Sequence, residues 1–174
     1  MNNKLINNLE SNCLLFLMLS FYLFPIIYIY VYYDNSSSIS SIICDEKTKY
    51  IILFFMILMG LTTILYEYKR NDIYSLIIIS ILLVSIYILI YFPEDNILHY
   101  IFASISFISI LLFMIRHYYR ICNQYNYILQ ILLFIQILLI ILIIINCFLN
   151  YSIFLYESIY LLIFAIFYFY IHNK

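Results

Sequence analysis

Residues 127–171 form an almost unbroken apolar run that carries a single carboxylate, Glu157. Drawn out as one α-helix, the run would be about 67 Å long at a rise of about 1.5 Å per residue. A bilayer's hydrocarbon core is only about 30 Å thick. The run must therefore double back, and Asn146, Asn150 and Ser152 mark the turn. Its first arm, residues 127–149, holds about eighteen Ile, Leu and Phe residues, each favouring insertion by about 0.3–0.6 kcal/mol. Gln130, Gln136 and Asn146 oppose insertion without overturning it. A transmembrane hairpin is the expected outcome.

Composition extends this expectation to the whole chain. Of 174 residues, 67% are hydrophobic and 10% charged, a balance foreign to soluble globular domains. The bias is apolar, so disorder is excluded. A net charge of −1 gives no footprint for nucleic acid. The four cysteines lack the paired spacing of a disulfide framework or a zinc site. Cys13 and Cys122 fall near the cytosolic face, and Cys44 and Cys147 fall on the outer side, where they are open to joining.

The expected fold is all-α: one bundle of six transmembrane helices filling residues 1–174, with both termini cytosolic. The spans are 13–33, 50–66, 73–92, 97–115, 127–149 and 151–171. The first is read as retained, because its apolar part exceeds a signal peptide's and no A-x-A site follows. Pro25 is expected to kink it. Residues 34–49 are read as the one sizeable loop. They include the sequon Asn35-Ser36-Ser37, a glycosylation candidate at Asn35. In the second span Met56, Gly60, Thr63 and Glu67 share a face that suits close helix packing. Lys4, Lys69, Arg70, Arg116, Arg120 and Lys174 then lie on the cytosolic side, and only Lys47 and Lys49 lie outside, as the positive-inside rule requires.

The chemistry open to the chain is narrow. One glycine, Gly60, excludes a P-loop, a dinucleotide fingerprint and a G-x-S-x-G elbow. Three scattered histidines, His99, His117 and His172, are too few for a multi-histidine zinc hydrolase. No cofactor and no metal is expected. One polar constellation remains. Glu157, His99 and Cys147 fall at similar depth near the outer ends of their helices. An acid inside the bilayer must face the bundle, with Tyr160, Phe164 and Tyr168 on its own face. His99 is the expected partner. The pair is either a structural tie, a lipid-headgroup or ion site, or part of a catalytic centre.

Several of these residues carry a resemblance. Ile39-Ser40-Ser41-Ile42 and Asp45-Glu46 stand in the first outer loop; His99, Ala103 and Phe107 open the fourth span; Glu157 lies in the last helix. In this order the chain resembles the damage-regulated autophagy modulator (DRAM) family, related to the N-terminal domain of a GPI-anchor lipid-remodelling protein. The likeness covers residues 34–173. The family's glycines and its Pro-Tyr-Ile-Ser string are absent. The resemblance implies a non-enzymatic multi-pass protein of endomembranes that influences lipid distribution, lysosomes or autophagy; the spans by themselves allow endomembrane or plasma membrane. Membrane lipids, and a second copy of the chain, are the partners to expect. The alternatives are an oligomeric channel or transporter with Glu157 and His99 at its outer mouth, and a lipid-modifying enzyme.

Overall fold

The computed structural model describes residues 2–33, 38–93, 96–121, 126–149 and 151–172, and among them there are helices and no strand. The helices are α1 (Asn2–Tyr32), α2 (Ile39–Cys44), α3 (Lys49–Lys69), α4 (Ile73–Leu89), α5 (Ile97–Ile121), α6 (Tyr127–Phe148) and α7 (Phe154–His172). Five contain a segment long and apolar enough to cross a membrane: Glu10–Tyr32 of α1, all of α3, Ile97–Arg120 of α5, all of α6 and all of α7. Asn35 lies outside the described residues.

The long apolar run folds back between α6 and α7, where the Tyr151 amide bonds the Asn146 carbonyl at 3.0 Å. Helix α1 runs on through Pro25. Helix α4 has 17 residues and is about 26 Å long. It stops short of residue 92 because tighter turns take over: Tyr91 bonds back to Ile88 at 3.0 Å and Phe92 to Leu89 at 3.2 Å. Such i to i+3 bonds end a helix by using up its last carbonyls.

The connection between α3 and α4 is a tight turn of three residues. Arg70 caps α3, Asn71 takes a left-handed φ of 54°, and Asp72 caps α4 by accepting from the Ser75 amide at 3.3 Å. Asparagine tolerates that φ, and aspartate is a preferred N-cap.

One expectation is corrected here. Part of the stretch read as a loop is a short helix, α2. Ser38 starts it by accepting from the Ser41 amide at 3.0 Å. Thr48 closes it, its hydroxyl donating to the Ile42 carbonyl at 2.6 Å. Ile39 and Ile42 then pack on Ile29, Ile52 and Phe154.

Helix α7 is the axis of the bundle. Half of its apolar window is buried, against 28–33% for the other four long spans. Tyr160, Phe164, Phe167 and Tyr168 meet Ile110 and Phe113 of α5, Leu132 and Leu139 of α6, and Met18 of α1 in one cluster. On α3 the buried face includes Gly60, Thr63 and Glu67, and the Leu83 side chain of α4 lies where a Cβ on Gly60 would meet it at 3.6 Å. The outer faces keep large apolar side chains exposed, among them Leu61, Ile108, Phe134 and Phe148. Water would penalise such a surface and acyl chains would not.

Candidate functional site

Polar side chains gather at the two ends of this bundle. At one end a cavity of about 640 Å³ opens between α5, α6 and the start of α7. Helix α5 contributes His99, Ala103, Ser104 and Phe107; α6 contributes Ile140, Ile143, Ile144 and Cys147. Ser38 and Ser40 reach it from the α2 region, and Ser152 and Glu157 from the approach to α7. The three residues singled out from sequence, His99, Cys147 and Glu157, all line this one cavity. Its rim residues Ile108, Ile144 and Phe148 are exposed on the flank of the bundle. Cys147 and Tyr151, beside the α6–α7 turn, are exposed as well.

Local chemistry explains how each polar group is held. Asn96 starts α5 by accepting from the Leu98 amide at 2.9 Å, which sets His99 in the first turn. His99 is 1% exposed, and its Nδ1 lies 2.9 Å from the Phe92 carbonyl and 3.6 Å from the Cys44 sulfur. Its Nε2 is buried with no hydrogen-bond partner among the described residues. Cys44 in turn sits 3.1 Å from the Leu89 and Phe92 carbonyls. No disulfide joins Cys44 to Cys147, so the pairing left open by the sequence is not made.

Glu157 is 2% exposed, and its Oε2 accepts from the Ile39 backbone amide at 2.6 Å. That amide belongs to the first turn of α2, whose N–H groups have no partner within their own helix. Glu157 also stands in the first turn of α7. The carboxylate thus lies where two helix N-termini converge, and their unpaired N–H groups and dipoles favour negative charge. No ion pair within 4.0 Å joins His99 and Glu157 among the described residues. The Ile39 amide is one of this carboxylate's partners. Glu157→Gln should weaken this charge-assisted bond by about 1 kcal/mol. Hydrogen exchange of the 39–44 amides should then quicken roughly five-fold, and unchanged exchange would remove the capping role.

The opposite end carries a network that sequence reasoning did not assemble. Asp72 accepts from Arg116 at 2.7 Å, from Arg120, and from the Ser75 hydroxyl at 2.8 Å. His117 Nε2 lies 3.0 Å from that same hydroxyl. Burial alone would raise the Asp72 pKa, yet the bonds from Ser75 and Arg116 hold it well below the usual carboxylate range. Beside it, buried Glu67 accepts from the Tyr168 hydroxyl, and Arg70 Nη1 sits 2.6 Å from His172 Nδ1. Lys69 bonds Glu10 at 2.8 Å. These residues tie α1, α3, α4, α5 and α7 together at one end. The signals were present as Arg116 and Arg120 four residues apart and Asp72 and Ser75 three apart, spacings that share a helix face.

Neither end groups three or more His, Cys, Asp or Glu side chains in a way that could hold a metal, among the described residues. Mid-bundle, Gln136 is fully buried and donates to the Tyr160 carbonyl at 3.2 Å, while Tyr160 donates to the Phe107 carbonyl at 2.7 Å. These bonds link α5, α6 and α7 beneath the cavity. Comparison with family models, with curated proteins and with solved structures finds no match for this chain.

Proposed function

We propose that the chain is a six-span integral membrane protein, both termini cytosolic, that holds a lipid in the cavity between α5 and α6 without transforming it. The apolar side chains Ile108, Ile144 and Phe148, which line that cavity and are exposed, carry the reading. A site for a water-borne ligand would open along the bundle axis, whereas a lipid enters from the flank. The volume of about 640 Å³ falls within the range usual for ligand sites of about 300–1,000 Å³. Its length from His99 to Phe107 is about 12 Å, with apolar Phe107 and Ile140 at one end and polar His99 and Ser152 at the other. Helix α4 counts as the sixth span, because its apolar length of about 26 Å is within reach of a thinned or snorkelled bilayer. Lys69, Arg70, Arg116 and Arg120 at the other end favour the cytosol for that end. The resemblance to the DRAM-type family, with its implied effect on lipid distribution, points the same way.

Ala103→Trp fills the cavity from the α5 wall and tests the reading. Native mass spectrometry of the wild-type protein, purified in mild detergent, should show a retained lipid. The variant should keep its helical circular dichroism and lose at least nine-tenths of that lipid, about the effect of 1.4 kcal/mol. Equal retention by both proteins would overturn the site. Turnover of the lipid by the purified protein would overturn the non-catalytic role.

A further inference from the structure

We infer that this cavity selects lipids whose head offers hydroxyl hydrogens and carries no phosphate, diacylglycerol being the simplest case. The inference rests on the lipid-holding role just proposed and adds the headgroup chemistry.

Three observations on the cavity wall lead to it. The first is the tautomer of His99. A carbonyl oxygen only accepts, so the 2.9 Å approach of Nδ1 to the Phe92 carbonyl puts the ring proton on Nδ1. On the neutral ring Nε2 is then a bare acceptor. That atom is buried without a donor among the described residues, in a side chain 1% exposed. A buried acceptor left unsatisfied is costly and rare, and a ligand O–H that the His99 ring shifts to meet would satisfy it.

The second is Glu157 on the same wall. A carboxylate accepts and repels anions. The third is the lack of compensation: no Lys or Arg occurs among the described lining residues. At this end Lys49 leans instead over the Tyr91 ring, 5.4 Å from its centroid. Phosphate recognition draws on Arg, Lys or an array of free N–H groups, and here the two strongest groups are acceptors. The hydroxyls of Ser38, Ser40, Ser104, Ser152, Tyr100 and Tyr151 can bond either way and carry no positive charge. A glycerol hydroxyl fits such a wall. A phosphate, which offers acceptors and negative charge, does not.

The test loads the purified full chain in phosphatidylcholine nanodiscs with equimolar diacylglycerol and phosphatidic acid of identical acyl chains. Bound lipid is then counted by native mass spectrometry. Wild type should retain diacylglycerol at least ten-fold over phosphatidic acid. His99→Phe should lower diacylglycerol retention by about ten-fold, the loss of one buried hydrogen bond. Ser104→Lys puts a cation on the exposed side of the wall and should bring phosphatidic acid up to parity. Equal retention of the two lipids by wild type would overturn the headgroup inference while leaving a lipid site in place. Continued exclusion of phosphatidic acid by Ser104→Lys would do the same. If neither lipid is retained and Ala103→Trp changes nothing, the lipid-holding role itself fails.

Discussion

Asp72→Ala is expected to lower stability in detergent by about 2–4 kcal/mol. Two losses combine. The Ser75 amide loses its cap, which costs about 1 kcal/mol. Arg116 and Arg120 lose the acceptor on which both converge, and the Ser75 hydroxyl beside His117 loses its own. The arginine side chains are 30% and 54% exposed, so solvent recovers part of their share. Asp72→Asn separates the terms, because it keeps the cap and removes the ion pairs. Acid should act in the same direction. The folded-state pKa of Asp72 is depressed, so its contribution is complete above the unfolded value of about 4. It is lost as pH falls below that value towards the folded one. Thermal unfolding followed by circular dichroism should show the wild-type midpoint falling below about pH 4, with a shallower fall in Asp72→Asn. Parallel pH profiles would refute the role given to this carboxylate.

Phe113→Ala should cost about 2–4 kcal/mol, and here the cause is shape. Phe113 is fully buried. Its ring stacks on Tyr168 with centroids 5.3 Å apart, meets Phe164 edge-on at 5.8 Å and lies 4.4 Å from His117. Within a bilayer, moving a ring out of the bundle into acyl chains gains or loses little transfer energy. What remains is the lost dispersion contact around a sealed void. Phe134→Ala is the matching control, since Phe134 is 68% exposed on α6 and should change stability by less than about 0.5 kcal/mol. If the two substitutions cost the same, packing between helices is not what holds the bundle. Scanning calorimetry or denaturant titration in one detergent would compare them.

Much of this architecture is legible in the residues, and the gaps have physical causes. The doubled-back run at residues 127–171 follows from length against bilayer thickness. The buried face of α7, with Tyr160, Phe164 and Tyr168, follows from helical spacing. Glu157, His99 and Cys147 come to one cavity because the ends of three helices meet there. The bond from Ile39 to Glu157 was not legible, because its donor is a backbone amide of a six-residue helix. Serines at residues 38, 40 and 41 read equally well as a loop or as a cap, and only the packing of Ile39 and Ile42 decides. The Asp72 network was missed for a different reason. Charges near a membrane face already have an explanation in topology, so nothing in the sequence asks whether they also bind one another.

The position of α7 in the chain sets the order of assembly. It emerges after α1 to α6, yet it supplies the phenol that Glu67 needs and the carbonyl that Gln136 bonds. Until α7 packs, the earlier helices lack these two partners. A nascent product stalled before residue 154 should therefore persist as loosely associated helices, a ready target for the membrane's own proteolysis.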